Sequence, residues 1–192
     1  YSDCLGAVHG AASAGVETVL RVPTHDQGIV GQYCDLGPTA VMIPMVNTVA
    51  EAKNAVESVR FPPLGKRSYG GRRVIDLHGR EYFREKETLL MVQIETLEAV
   101  DNAEAIASTD RVDLLFFGPD DAKVRLNLPM NTNIYEHEKL RDAMERTAKA
   151  AKEAGKLCGT VAGTREAIIM ATGMGYSCFV GGSDIVFLRT SS

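Results

Sequence analysis

A short apolar run followed by an amphipathic stretch recurs about six times along this chain, and nothing between the runs resembles a hairpin turn. Strands joined only through helices must pair in parallel, because a parallel pair needs a long crossover connection. The expected strands cover residues 18–22, 40–46, 89–96, 112–118, 157–162 and 177–182. Pro23 and Pro44 suit strand exits, since proline cannot donate to a ladder. The expected helices cover 1–14, 27–33, 96–107, 139–154 and 164–172. A further one starts at the capping box Thr48–Glu51 and carries the stripe Val49, Ala52, Val56 and Val59. Residues 61–65 stop that helix. Residues 68–79 and the polar stretch up to Asn133 are expected to be loops, and 184–192 an apolar tail with no closing helix.

No G-x-G-x-x-G follows the first strand and no G-x-x-x-x-G-K-[ST] occurs, so neither a dinucleotide nor a P-loop site is supported. A unit of about 20–40 residues suits a (β/α)8 TIM barrel better than a doubly wound sheet. We expect a single barrel domain over residues 1–192. Six units fall short of eight. The chain also opens on a helix, so the barrel is expected to be partial, with residues missing on both sides.

Length and composition leave room for one sizeable core: 192 residues, 45% hydrophobic and 24% charged. A net charge of −4 without a basic block argues against nucleic acid. No apolar run reaches the roughly 20 residues of a membrane span, and no signal peptide opens the chain. Cys4, Cys34, Cys158 and Cys178 are far apart, with no C-x-x-C pair, which fits a reducing cytoplasm.

The polar residues converge on one rim. Alternation along 89–96 puts Met91, Gln93 and Glu95 on one face, with an amide and a carboxylate at the carboxyl end. That end carries the chemistry in barrels and open α/β sheets alike. Arg21 ends the first strand and Asp121 follows the strand that runs into Gly118. Two carboxylates, an amide and a guanidinium suit Mg2+ or Mn2+ holding an anionic small molecule. Gly118 lets backbone approach a ligand. Zinc is disfavoured, since no histidine pair stands at ligand spacing. Each residue also has a plainer reading. Gln93 and Glu95 could be a strand end reaching water, Arg21 a surface arginine, Asp35 a turn cap before Gly37, and Asp120 a helix N-cap. His25, Arg72 and Arg73 read as solvated loop residues. Lys66 and Lys123 lie outside the buried strands, which argues against a Schiff-base lysine.

Two segments, Val92-Gln93-Ile94-Glu95-Thr96 with Glu98-Ala99-Val100, and Val112-Asp113 through Phe117-Gly118-Pro119-x-Asp121, resemble the signatures of the HpcH/HpaI aldolases. Also similar are Leu20-Arg21-Val22-Pro23, Asp35-Leu36-Gly37, Ile43-Pro44-Met45-Val46, Glu51-Ala52-Lys53, Phe61-Pro62-Pro63-x-Gly65-x-Arg67-Ser68 and Ala154-Gly155-Lys156. The resemblance covers nearly the whole chain in order. It implies a metal-dependent class II pyruvate aldolase on a (β/α)8 barrel, cleaving a 4-hydroxy-2-oxo acid with Mg2+, Mn2+ or Co2+. Glu95 and Asp121 would be metal ligands, Arg21 would steady the enolate oxygen, and Asp35 would orient a catalytic histidine. Substrate contacts are expected at Gln93, Gly118, Pro119, Asp120 and Val161. The family's catalytic histidine, its first two strands and its C-terminal helix have no counterpart here, and a trimer or hexamer is implied. After Gly-Pro the family carries a small residue and then Asp-Leu-Ser. Here Asp120 adds a negative charge where the substrate carboxylate is expected, and Lys123 replaces the serine. A lyase acting on oxaloacetate or an acyl-CoA thioester, and a non-catalytic homologue that binds metal and small acids, are the alternatives.

Overall fold

The computed structural model describes residues 2–190; Tyr1 of the expected first helix and Ser191 and Ser192 of the expected tail lie outside them. Six strands form one parallel sheet in sequential order: β1 (Val19–Arg21), β2 (Ala40–Ile43), β3 (Leu89–Ile94), β4 (Leu114–Phe117), β5 (Leu157–Val161) and β6 (Cys178–Val180). Each strand pairs with the next, so the sheet curls as half a barrel. The flanking helices are α1 (Ser2–Ser13), α2 (Gln27–Cys34), α3 (Val49–Val59), α4 (Arg72–His78), α5 (Tyr82–Glu85), α6 (Leu97–Asp101), α7 (Ala103–Ala107), α8 (Pro119–Arg125), α9 (Glu138–Glu153), α10 (Arg165–Met174) and α11 (Asp184–Thr190). Among the described residues no helix is long and apolar enough to cross a membrane.

Side-chain alternation divides every strand between two environments. The outward set, including Val41, Ile43, Leu90, Val92, Ile94, Leu115 and Phe117, is fully buried beneath the helices in the main core. The inward set forms a smaller cluster of Ala40, Met42, Met91, Leu114 and Phe116. Here Gly159 lies opposite Phe116, and a Cβ on it would stand 2.8 Å from the Phe116 ring. Glycine is what lets that ring lie across β5.

The amino-terminal ends of the strands are locked by Arg60, which is only 4% exposed. Its guanidinium donates to the carbonyls of Thr88 and Arg111 and to Asp113 Oδ2, at 2.8, 3.1 and 2.8 Å. The same Asp113 oxygen accepts the Leu90 N–H at 2.7 Å, which ties the start of β3 to the residue before β4.

Three expected non-helical segments contain helices. Residues 68–79 hold α4, whose single buried residue, Val74, explains the weak periodicity. The stretch after Gly118 begins with α8, and its start signals are visible in retrospect: Pro119 at the first helical position and Asp120 and Asp121 in the first turn. Gly118 is the N-cap, so Asp120 is not. The tail holds α11, whose Ile185, Phe187 and Leu188 are exposed, a pattern without the apolar stripe that marks a packed helix. The expected 96–107 helix is two segments meeting at Asn102.

Replacing Arg60 with Ala strips Asp113 of its guanidinium partner and removes the donor to two part-buried carbonyls. The expected loss is about 2–4 kcal/mol in urea unfolding, well above that of the exposed ion-pair change Lys66→Ala.

Candidate active site

Strand β3 supplies the centre. Gln93 and Glu95 follow Met91 on the inward face and are 6% and 3% exposed. Arg21, the last residue of β1, donates from Nε to Gln93 Oε1 at 2.8 Å, and Gln93 Nε2 donates to Glu95 Oε1 at 2.9 Å. The orientation of the amide is forced, because a guanidinium can only donate and a carboxylate only accept. Glu95 Oε2 accepts the Met45 N–H at 3.0 Å. Met45 follows Pro44 and holds φ at 53°, a left-handed conformation uncommon outside glycine that aims its N–H back at β3.

Gly118 underlies the carboxylate. A Cβ there would lie 2.6 Å from Glu95 Cγ and 2.7 Å from Oε1, so no other residue fits beneath Glu95 without moving it. Asp121 stands in the first turn of α8, close enough for its charge to act on Glu95. Burial pushes the Glu95 carboxyl above its ordinary value. The Met45 N–H opposes that, Asp121 pushes it further up, and Arg21 and Arg125 pull it down.

Several expected residues fall elsewhere or play other parts. Asp35 caps the carboxyl end of α2, just before β2 begins, and pairs with Arg67 at 2.6 Å. It therefore sits by the amino-terminal ends of the strands, away from Glu95. Val161 ends β5 on the inward face and is 39% exposed. Pro119 is buried at the start of α8. Asp120 is ion-paired with Lys123 at 3.2 Å, so its added charge is compensated within the helix. Lys123 is itself buried, contrary to its loop reading, and it also donates to the Met130 carbonyl at 3.0 Å. Its ammonium is taken up by a carboxylate and a carbonyl, which still argues against a Schiff base. His25 is half-buried and bonds through Nε2 to the Pro44 carbonyl rather than lying free in solvent. Sequence reading passed over Met45, whose contribution is a backbone N–H, and Arg125, which lay in a stretch read as loop.

Among the described residues no three His, Cys, Asp or Glu side chains cluster as a closed metal site. Two mutually repelling carboxylates, one of them buried, nevertheless fit a hard cation that completes its shell from water and substrate. Zinc-type nitrogen and sulfur ligands are not part of this arrangement.

A parallel β/α sheet with carboxylates and guanidinium groups gathered at the strand carboxyl ends is the architecture of a β/α enzyme. The HpcH/HpaI aldolase/citrate lyase family model matches residues 2–187, and the chain belongs to that family, hence to the carbon–carbon lyases. It is 33% identical over 192 residues to a 5-keto-4-deoxy-D-glucarate aldolase of Citrobacter koseri, covering 98% of this chain and 72% of that one. With a 4-hydroxy-2-oxovalerate aldolase of Novosphingobium aromaticivorans it shares 37% over 150 residues, covering 76% of this chain and 57% of that one. A crystal structure of an HpcH/HpaI aldolase/citrate lyase family protein from Burkholderia cenocepacia superposes with a TM-score of 0.89 at 30% identity, covering 99% and 77% of the two chains.

Because the fold raises the pKa of Glu95, it favours the protonated acid. Glu95's contribution to stability is then full below the ordinary value of 4.5 and is lost as pH rises through the raised value. Metal-free Glu95→Gln offers one acceptor oxygen to the two N–H donors of Gln93 and Met45, so it should melt below the parent at acid pH, and the gap should narrow as pH rises through the raised value. A gap independent of pH would contradict this reading. Gly118→Ala should cost about 1–3 kcal/mol through the clash with Glu95, and Glu95→Ala in the same chain should recover most of it.

Proposed function

We propose that this chain forms part of a (β/α)8 barrel aldolase that cleaves a 4-hydroxy-2-oxo acid into pyruvate and an aldehyde with a divalent metal ion. The observation that carries the proposal is the continuous bond path Arg21–Gln93–Glu95, laid over Gly118 and facing Asp121. In this reading Glu95 and Asp121 would hold Mg2+, Mn2+ or Co2+, and the ion would supply Lewis-acid chemistry there. The protein works in the cytoplasm as a homo-oligomer. The relatives that are named aldolases, one for 4-hydroxy-2-oxovalerate and one for 5-keto-4-deoxy-D-glucarate, support the reaction class.

Cleavage breaks the C3–C4 bond: its electron pair forms the C2–C3 double bond of an enolate as the carbonyl pair shifts onto the 2-oxo oxygen, the 4-hydroxyl proton passes to water as the aldehyde forms, and a proton returned from water to C3 completes pyruvate. Negative charge therefore develops at an atom that was neutral in the bound acid. Arg21 is fixed by Gln93 before substrate arrives, so it meets that charge without reorganising. Gln93 keeps both neighbours in place at once, since its amide is bonded at each end. Gly118, Pro119 and Asp120 form the turn into α8; in our reading this turn borders the substrate carboxylate, and Val161 at the end of β5 borders the apolar side. Asp35, away from this rim within one chain, serves in our reading as a positioning residue.

Steady-state pyruvate release from 4-hydroxy-2-oxovalerate, with Mg2+, Mn2+ or Co2+ added to the complete protein, tests the proposal. Removing the Arg21 guanidinium should lower kcat by about 10²–10³-fold, with KM much less affected. Glu95→Ala should abolish metal uptake in calorimetry. Equal uptake by Glu95→Ala and parent would discard the site assignment.

A further inference from the structure

Both carboxylate oxygens of Glu95 are held, and both lines of support lead back to the end of β1. Oε1 takes the Gln93 amide, whose other end takes the Arg21 guanidinium. Oε2 takes the Met45 N–H at 3.0 Å. The same peptide unit carries the Pro44 carbonyl, and that oxygen is bonded by His25 Nε2. A carbonyl only accepts, so the ring nitrogen is the donor in this contact. His25 follows Arg21 in the turn between β1 and α2. Sheet pairing shows what the contact replaces. Alternate residues of β2 face β1: the Ala40 N–H donates to the Thr18 carbonyl, and the Met42 carbonyl accepts the Val22 N–H. The next carbonyl in that series is Pro44, but β1 has ended at Arg21, and the imidazole supplies the donor that a longer strand would have supplied. On the other flank the Gln93 carbonyl takes the Val46 N–H at 3.1 Å, which leaves the Met45 N–H for Glu95. Met45 keeps a left-handed backbone, a conformation that persists only where its surroundings hold it. The Pro44–Met45 peptide is planar and stiff, so a bond at its oxygen sets the direction of its N–H. Hydrogen bonds in line through one peptide group also polarise one another.

We propose that His25 is a positioning residue for Glu95: acting through the Pro44–Met45 peptide, it keeps the Met45 N–H on Oε2 and thereby sets the orientation in which the carboxylate meets a divalent ion. The part concerning the ion rests on the aldolase reading, and the part concerning the peptide does not. His25 touches Glu95 nowhere in this arrangement, so its loss leaves every charge of the site in place and changes only how one carboxylate is aimed. The role asks for an N–H donor at the reach of the imidazole Nε2. Glutamine offers one, since its side-chain amide donates from a similar distance, whereas leucine fills much the same space and offers none. Arg21 and His25 thus stand in parallel, each acting on a different oxygen of Glu95 through one intervening amide.

Amide hydrogen exchange on the complete, metal-free protein reads the peptide directly. In His25→Leu the Met45 N–H should exchange about tenfold faster than in the parent, while the Val46 N–H, bonded to Gln93 instead, stays within about twofold. His25→Gln should bring Met45 back to near the parent rate. Mn2+ binding, followed by the paramagnetic resonance of the free ion, should weaken about tenfold in His25→Leu and recover in His25→Gln. Four results would overturn the inference: a Met45 amide unmoved in His25→Leu, equal acceleration at Met45 and Val46, a His25→Gln protein that behaves as His25→Leu does, or unchanged Mn2+ affinity beside a freed Met45 amide. Equal acceleration would mean that His25 only holds the turn together. The metal reading fails separately, in a parent protein that takes up no Mn2+. The exchange rates of Met45 and Val46 in parent and variants then still decide whether His25 holds the peptide on Glu95.

Discussion

The site depends on the register of β3, the strand paired on both sides at the middle of the sheet. Met91 lies opposite Met42 on one flank and Leu114 on the other, and Gln93 lies opposite Phe116. A slip of one residue would bury Gln93 under the helices and turn Val92 and Ile94 inward. The outward face, fully buried from Leu90 to Ile94, makes such a slip prohibitive. Hydrophobic burial on one side of the strand thus holds a carboxylate in place on the other. Asp113, which takes the Leu90 N–H, fixes the same register from the opposite end.

Glu95 is where this order meets electrostatics. Its burial and the nearby Asp121 both work against ionisation, while the Met45 N–H and two guanidinium groups work for it. Neither influence could be removed without moving the other, because the N–H comes from a residue in a left-handed conformation and Gly118 leaves no slack beneath the side chain. The carboxylate is confined in position and left short of positive charge, which is the condition a hard cation relieves.

Much of this was legible from residue order. Strand–helix alternation gave the parallel sheet, and the two-residue period placed Gln93 and Glu95 together on the rim with Arg21. The family signatures are borne out by the match over residues 2–187. What the one-dimensional pattern lacked was depth. Helix α8 is seven residues long and partly solvated, too short to print an apolar stripe, so residue order alone gives no helix around Lys123 and Arg125. Helix α4 was hidden for the same reason, with Val74 alone turned inward. The part played by Met45 had no signal in side-chain chemistry, because its contribution to Glu95 is a backbone N–H. Asp35 was placed by resemblance, and its partner in the structure is Arg67, a contact spanning 32 positions that no local pattern encodes.

The Asp120–Lys123 pair constrains how this chain can diverge. Lys123 is nearly out of solvent, held by one carboxylate and by the Met130 carbonyl. Loss of Asp120 alone leaves a shielded ammonium with a single neutral acceptor. Loss of Lys123 alone releases a second negative charge beside Asp121 in the first turn of α8 and unties the segment that follows that helix. Each single change is worse than both together, so natural descendants of this sequence should carry the two residues as a unit or replace them as a unit. Drift at either position is gated by the other, even though neither belongs to the bond path at the centre of the site.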